Sequence, residues 1–190
     1  MEIKVVKKIL EANERIPGKH INLRFHATLM AGAGDPAIEV MEETAKEKKG
    51  GYILVVEGAI PTLKGGTYGT IGERKGKLVT MLERVESLGK DALAVVALGT
   101  CAAFGGIPAA SPNPTDCKRV TAVLDSKGIT TPVVNIPGCP PHPDWFVGTV
   151  ASILLFGLPK PEDLDDEGRP LAFYGSLIRE NCPRRAVNYG

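Results

Sequence analysis

Two cysteines stand in glycine- and proline-rich turns that directly follow apolar runs: Cys101 in "ALGTCAAFGG" and Cys139 in "NIPGCPPHP". Thiolates held at such turns suit soft metals, because free backbone N–H groups can hydrogen-bond sulfur and prolines keep the loop rigid. An iron–sulfur cluster fits these isolated cysteines better than zinc, whose sites usually show a close cysteine pair or a histidine spacing. The alternative is that both cysteines pack as small hydrophobic residues.

A carboxylate and an imidazole are predicted to share this location. Glu57 follows "YILVV", Cys101 follows "LAVVAL", and Cys139 and His142 follow "PVVNI". Continuous apolar runs without alternation are typical of parallel strands that are covered on both faces. Because ligands of such sheets bind outside the carboxyl ends of the strands, we expect these four residues at one edge of the sheet.

Helical patterns alternate with these strands and predict an open, doubly wound α/β sheet. "PVVNI" is counted as the fourth strand, since an earlier strand and loop are predicted in "HINLRFHATLM". The first predicted helix is amphipathic and lies in "MEIKVVKKILEANERI", with a short strand in "EIKVV" as the alternative. The second begins with Asp35 as N-cap and Pro36 as its first residue. Three more are predicted over residues 71–90, over residues 116–127 and in "PDWFVGTVASILLFG".

Composition limits the class of protein. The chain has 190 residues, 43% of them hydrophobic and 24% charged, with a formal net charge of +1. This charge gives no electrostatic basis for binding nucleic acid or an anionic membrane. Four cysteines are too few for a disulfide scaffold of this length, which favours metal or redox chemistry in a reducing compartment.

The order of segments suggests one domain with an appended tail. We expect a domain over residues 1–158 and the start of an irregular C-terminal region over 159–190, where the sequence turns acidic and proline-rich and ends in basic residues.

The longest apolar stretch, residues 147–158, is interrupted by two glycines and is too short to span a bilayer. No leader precedes the first predicted element, so the sequence as it stands indicates a cytoplasmic protein.

Several longer motifs carry a family resemblance. "LVVEGAIPT", "ALGTCAAFGGIPAASPNPT", "VNIPGCPPHPDWFVGTVASILLFGLP" and "GRPLAFYGSLIRENCPRR" resemble the small, electron-transferring subunit of nickel–iron hydrogenases. The resemblance implies a flavodoxin-like fold that carries a proximal 4Fe-4S cluster. It also implies a large-subunit partner with the nickel–iron centre, where hydrogen is made or oxidised, and an external electron carrier.

The resemblance assigns roles to individual residues. Cys101 and Cys139 match the third and fourth ligands of the proximal cluster. Gly99, Thr100 and Gly138 form the turns around them and are expected to contact the cofactor, and His142 either hydrogen-bonds cluster sulfur or orders the loop. Glu57 matches a carboxylate that tunes the cluster or relays protons; the alternative is a helix-capping or solvated loop acid.

The sequence also departs from the family at three points. The first two proximal ligands come from a Cys-x-x-Cys pair after a strand in the middle of the sheet, and this sequence contains neither. The expectations are therefore that the true start lies upstream, that a partner holds the domain together, or that "EIKVV" replaces the strand. A lost leader and strand would change the expected compartment to the periplasm or a membrane-associated site.

The other two departures concern the remaining cysteines, Cys182 and Cys117. Arg179 stands where the family has a distal-cluster histidine, which leaves Cys182 as a remnant ligand or an ordinary tail thiol. Cys117 has no counterpart and is either a substitute ligand or a metal-free thiol at the start of a helix. Three functions are open: an electron-transfer subunit, a cluster-free scaffold that binds or stabilises a large subunit, and a flavin-binding domain.

Overall fold

The structure, a computed structural model, describes residues 21–180, 182 and 184. The helix or short strand predicted at the start of the chain lies outside these residues. The regular elements are, in chain order, α1 (Asp35–Glu47), β1 (Ile53–Glu57), β2 (Ile60–Pro61), β3 (Thr70–Arg74), β4 (Lys77–Thr80), α2 (Met81–Asp91), β5 (Ala94–Leu98), α3 (Thr100–Phe104), β6 (Cys117–Lys118), α4 (Val120–Ser126), β7 (Val133–Ile136), α5 (Pro143–Phe156) and α6 (Leu171–Tyr174).

A parallel sheet with the strand order β1-β5-β7 forms the centre of the fold. Val55, Val96 and Val134 lie side by side in it, and the strands pair without a gap between them. Every residue of β5 is buried, as predicted for a strand covered on both faces. The edge strand β1 is covered less completely, since Val55 is 41% exposed. Among the described residues the parallel sheet has three strands, so the prediction of four strands was wrong for this part of the chain.

Helices cover both faces of the sheet, which confirms the doubly wound prediction. Alternate side chains of β5 enter different cores, because successive residues of a strand point to opposite faces. Val95 and Ala97 pack in one cluster with residues of α2 and α4. Val96 and Leu98 pack in the other cluster with Phe146 and Val150 of α5.

The helix predicted over residues 71–90 is confirmed only in its second half. β3 and β4 form an antiparallel hairpin, and helix α2 begins only at Met81. The turn residues Lys75 and Gly76 both have positive φ, 51° and 74°, as a tight two-residue hairpin turn requires. Thr80 then starts the helix, because its hydroxyl accepts a hydrogen bond from the Glu83 N–H at 3.1 Å.

We expect Thr80→Ala to lower the free energy of unfolding by about 1 kcal/mol, the usual effect of losing an N-cap. Thr80 is 8% exposed, so the substitution also removes a buried methyl group. Thr80→Ser keeps the capping oxygen and separates the two effects. Urea unfolding measures both variants, and a larger loss for serine than for alanine would contradict the capping role.

Two helix starts differ from their predictions. Helix α1 begins at Asp35 itself with Gly34 as N-cap, and the Asp35 carboxylate accepts from the Lys75 N–H at 2.7 Å instead of capping its own helix. Helix α4 begins at Val120, not at residue 116. Cys117 and Lys118 form strand β6, which pairs with β2 and displaces the helix start.

The strand predicted near residue 20 does not form among residues 21–30. The N–H groups of Leu29 and Met30 both donate to the carbonyl of His26, at 3.1 and 3.0 Å. A turn therefore uses the backbone groups that a strand would present to a neighbour.

The first part of the predicted tail lies against the domain. Leu164 and Pro170 form an isolated antiparallel bridge, and the Asn135 N–H of β7 donates to the carbonyl of Gly168 at 2.9 Å. The division into a domain and a tail region stays a prediction. Among the described residues, no helix has both the length and the apolar character that a membrane span requires.

Candidate iron-sulfur site

The carboxyl ends of the three parallel strands meet at one edge, as predicted. Glu57, Leu98 and Ile136 are register partners at the ends of β1, β5 and β7. The loops that carry Cys101 and Cys139 begin directly after the second and third of these residues. Parallel pairing therefore places the two thiol-bearing loops next to each other.

Two hydrogen bonds join these loops. The Thr100 N–H donates to the Gly138 carbonyl at 3.0 Å, and the Gly138 N–H donates to the Thr100 hydroxyl at 3.1 Å. The Gly99 N–H donates to the Ile136 carbonyl at 2.8 Å. The three turn residues predicted to contact a cofactor thus fix the loops to each other in this structure.

Cys101 and Cys139 differ in exposure. Cys101 lies in the first turn of α3 and is half-buried, whereas Cys139 is exposed, and both are free thiols. A side chain at Gly106 would place its Cβ 2.7 Å from the Cys101 Sγ, and Gly106 has a φ of 57°. Glycine is therefore required there for Cys101 to keep its position.

His142 orders the start of helix α5. It is the N-cap residue, and its Nδ1 accepts from the Asp144 N–H at 3.2 Å. The ring is exposed, and its centroid lies 5.9 Å from that of Trp145. These contacts give His142 an ordering role in this structure, and a hydrogen bond to cluster sulfur stays a prediction. Trp145 itself packs edge-on against Tyr174 at 5.0 Å.

Cys117 lies in a setting that the sequence did not indicate. It belongs to β6, is 7% exposed, and its sulfur lies 3.2 Å from the Thr115 hydroxyl. Asn113 binds the same residue twice, accepting from the Cys117 N–H at 2.7 Å and donating to its carbonyl at 3.1 Å. The expectation of a thiol at the start of a helix was wrong, because Cys117 pairs with β2 and helix α4 begins only at Val120.

The geometry of the described residues assigns no functional role to Glu57 or to Cys182. Glu57 is exposed at the end of β1, at the predicted edge. Cys182 is half-buried, and its N–H lies 3.4 Å from the Arg179 carbonyl. Proton relay, cluster tuning and remnant ligation stay predictions for these two residues.

The described residues fit an iron–sulfur cluster in part. Two free thiols in adjacent, rigid loops are the donor type that such clusters need, and four thiolates are the usual complement. Within residues 21–180, 182 and 184, no group of three or more histidine, cysteine or acidic side chains is placed to hold a metal. Half of the usual ligand set is therefore present among the described residues.

One contact to the thiol-bearing loop was not foreseen. The Tyr174 hydroxyl of α6 donates to the carbonyl of Pro137, two residues before Cys139, at 2.8 Å. Tyr174 is 37 residues away in sequence, and no local pattern announces the pair.

Comparison with known proteins identifies the family. A family described as "NADH ubiquinone oxidoreductase, 20 Kd subunit" matches residues 2–153. The Periplasmic NiFeSe hydrogenase small subunit of Desulfomicrobium baculatum is 49% identical and aligns with 86% of this chain and 55% of its own length. The chain belongs to the hydrogenase small-subunit family. This confirms the resemblance read from the motifs.

Other members of the hydrogenase small-subunit family agree. The Periplasmic NiFe hydrogenase small subunit of Solidesulfovibrio fructosivorans is 43% identical, over 86% of this chain and 48% of its own length. The solved structure of recombinant NiFeSe hydrogenase from Desulfovibrio vulgaris Hildenborough superposes with a TM-score of 0.83 at 41% identity, over 98% of this chain and 70% of that one. The chain spans about half the length of the curated relatives it matches.

Proposed function

We propose that this chain is the electron-transfer small subunit of a nickel–iron hydrogenase and passes electrons between a large subunit, where hydrogen is oxidised or evolved, and an external acceptor. The observation that carries the proposal is the position of two free thiols, Cys101 and Cys139, in hydrogen-bonded loops after adjacent parallel strands. The named relatives support it, since they are small subunits of hydrogenases.

Cys101 and Cys139 would hold one side of a 4Fe-4S cluster as thiolates, and the cluster would supply single-electron transfer. The chain's own residues prepare this site. Thr100 and Gly138 fix the distance between the loops, and His142 sets the start of α5 behind Cys139. Because two protein ligands are missing from the described residues, the cluster requires further donors.

The first test is the iron and acid-labile sulfide content of the full chain after anaerobic reconstitution. We expect about four of each per chain. Cys101→Ala and Cys139→Ala should each lose most of this iron, because each removes one of the two thiolates at the edge. Cys182→Ala removes the half-buried thiol of the tail, and it should retain the iron unless Cys182 is itself a remnant ligand.

Cys117→Ala examines where the further donors come from. A loss of iron in this variant would make Cys117 a substitute ligand, which its burial and its strand position disfavour. Absence of iron from the wild-type chain under strict anaerobic conditions would overturn the electron-transfer proposal for this polypeptide.

A cluster-free scaffold is the second candidate, and one observation favours it. The described residues contain no group of three metal-ligating side chains. Such a scaffold would co-purify with a hydrogenase large subunit at equal yield in the wild type and in Cys101→Ala. The electron-transfer subunit would instead lose hydrogen-dependent dye reduction by the complex in that variant.

A flavin-binding domain is supported less well. A flavin phosphate needs free backbone donors, and Pro137, Pro140 and Pro141 have none. The amides of Gly99, Thr100 and Gly138 already donate to protein acceptors.

The relatives also bear on the compartment of this chain. Two of them are named periplasmic, which favours the periplasm over the cytoplasm.

A further inference from the structure

Residues 165–174, the edge brace, run beside the last strand of the sheet. Asn135 of β7 anchors it twice: its N–H donates to the Gly168 carbonyl at 2.9 Å, and its side-chain amide donates to the Glu167 carbonyl at 2.7 Å. Asn135 is 7% exposed, so both bonds come from a buried residue of the strand. The edge brace is therefore attached to the strand that leads into the Cys139 loop.

Asp165 holds the first half of the edge brace in a closed loop. The Asp165 carboxylate accepts from the N–H groups of Glu167 and Arg169 at 3.0 and 2.9 Å and from the Arg169 Nε at 2.6 Å. Burial alone would raise the pKa of Asp165, but these hydrogen bonds and the Arg169 charge outweigh it and lower the pKa. The carboxylate thus stays ionised and paired at neutral pH.

Tyr174 connects the far end of the edge brace to the thiol-bearing loop. Its hydroxyl donates to the Pro137 carbonyl at 2.8 Å, its ring packs edge-on against Trp145, and the Arg169 guanidinium lies 5.5 Å from the ring centroid. Burial raises the pKa of Tyr174 well above its ordinary value, so the hydroxyl remains a donor throughout the physiological range.

We infer that the edge brace positions the Cys139 loop and that Tyr174 is its positioning residue. The loop is bound on one side by Thr100, through the Gly138 amide and carbonyl, and on the other side by Tyr174 through Pro137. Pro140 and Pro141 contribute no N–H groups of their own, so few other backbone bonds are available to the loop. The redox meaning of this inference rests on the proposed function, but the positioning itself does not.

Hydrogen–deuterium exchange of the full, metal-free chain tests the inference. Tyr174→Phe removes one hydroxyl and keeps the ring, and we expect ~5-fold faster exchange in a peptide covering residues 136–144, as the loss of one hydrogen bond predicts. The Gly138 amide is the probe within this peptide, because it is bonded to Thr100 in the wild type.

Tyr52→Phe is the matched control. The Tyr52 hydroxyl donates to the Leu88 carbonyl at 2.6 Å, and burial raises its pKa to about 12, so it too is a protonated donor to a backbone carbonyl. This variant loses a similar bond elsewhere and should leave exchange at residues 136–144 unchanged. Equal acceleration in both variants, or none in Tyr174→Phe, would overturn the positioning role.

Arg169→Gln provides a second variant if Tyr174→Phe unfolds. It removes the ion pair with Asp165 and the contact with the Tyr174 ring, and it should accelerate exchange in the same peptide. In iron-reconstituted protein, the electron paramagnetic resonance spectrum should change in Tyr174→Phe and stay the same in Tyr52→Phe. A chain that binds no iron but shows the exchange effect would refute the proposed function and leave the positioning role intact.

Discussion

Gly138→Ala is expected to lower the free energy of unfolding by about 3 kcal/mol and to abolish the iron binding proposed for the Cys139 loop. Gly138 has a φ of 142°, a conformation that residues with a side chain rarely adopt. A Cβ there would stand 2.5 Å from the Cα of Pro141 and 2.8 Å from its nitrogen. These are backbone atoms of a buried proline, so the neighbour cannot rotate away as a flexible side chain would.

The consequence for the site follows from the hydrogen bonds of the same residue. Gly138 exchanges two hydrogen bonds with Thr100, and any shift that relieves the Pro141 contact must move one of these groups. Cys139 is the next residue, so its thiol moves with the loop. We therefore expect loss of iron in Gly138→Ala even under conditions where the fold survives.

Gly128→Ala is the control for backbone strain alone. Gly128 has a φ of 65°, and nothing lies within 4 Å of an added Cβ. This variant should cost about 1 kcal/mol and leave iron binding unchanged. Urea unfolding and iron analysis measure both variants, and equal losses in the two would show that the Pro141 contact has no effect of its own.

The parallel sheet was predictable because its signal is local. β5 is one unbroken apolar run that is buried at every position, and β1 and β7 each contain one polar residue, Glu57 and Asn135. The hairpin of β3 and β4 was missed because apolar residues recur at helical spacing through residues 71–90. Lys75 and Gly76, which turn the chain with positive φ, were the local signal against a helix.

The candidate site was predictable to the extent that it depends on strand ends. Cys101 and Cys139 follow directly after β5 and β7, so parallel pairing brings their loops together. The environment of Cys117 was not predictable, because it depends on pairing with β2, more than fifty residues earlier in the chain. The bond from Tyr174 to Pro137 was missed for the same reason, since it links residues far apart in sequence.

The second large effect is expected in the core that α2 and α4 share. Leu124→Ala should lower the free energy of unfolding by about 3 kcal/mol, because Leu124 is fully buried and its removal leaves a cavity beside Val95 and Val123. Leu155→Ala, which deletes the same atoms from a side chain that is 52% exposed, should change stability by less than about 0.5 kcal/mol. Urea unfolding compares the two.

Gly89 of α2 determines whether that loss can be recovered. An added Cβ at Gly89 would stand 2.8 Å from the Leu124 Cδ2, so Gly89→Ala overpacks the wild-type core. In Leu124→Ala that atom is gone, and the new methyl group enters the cavity while alanine improves the helix by up to about 1 kcal/mol. Gly89→Ala should therefore stabilise the Leu124→Ala variant by about 1 kcal/mol and destabilise the wild type. The same sign in both backgrounds would contradict direct packing of Gly89 against Leu124, since only residues in contact couple in this way.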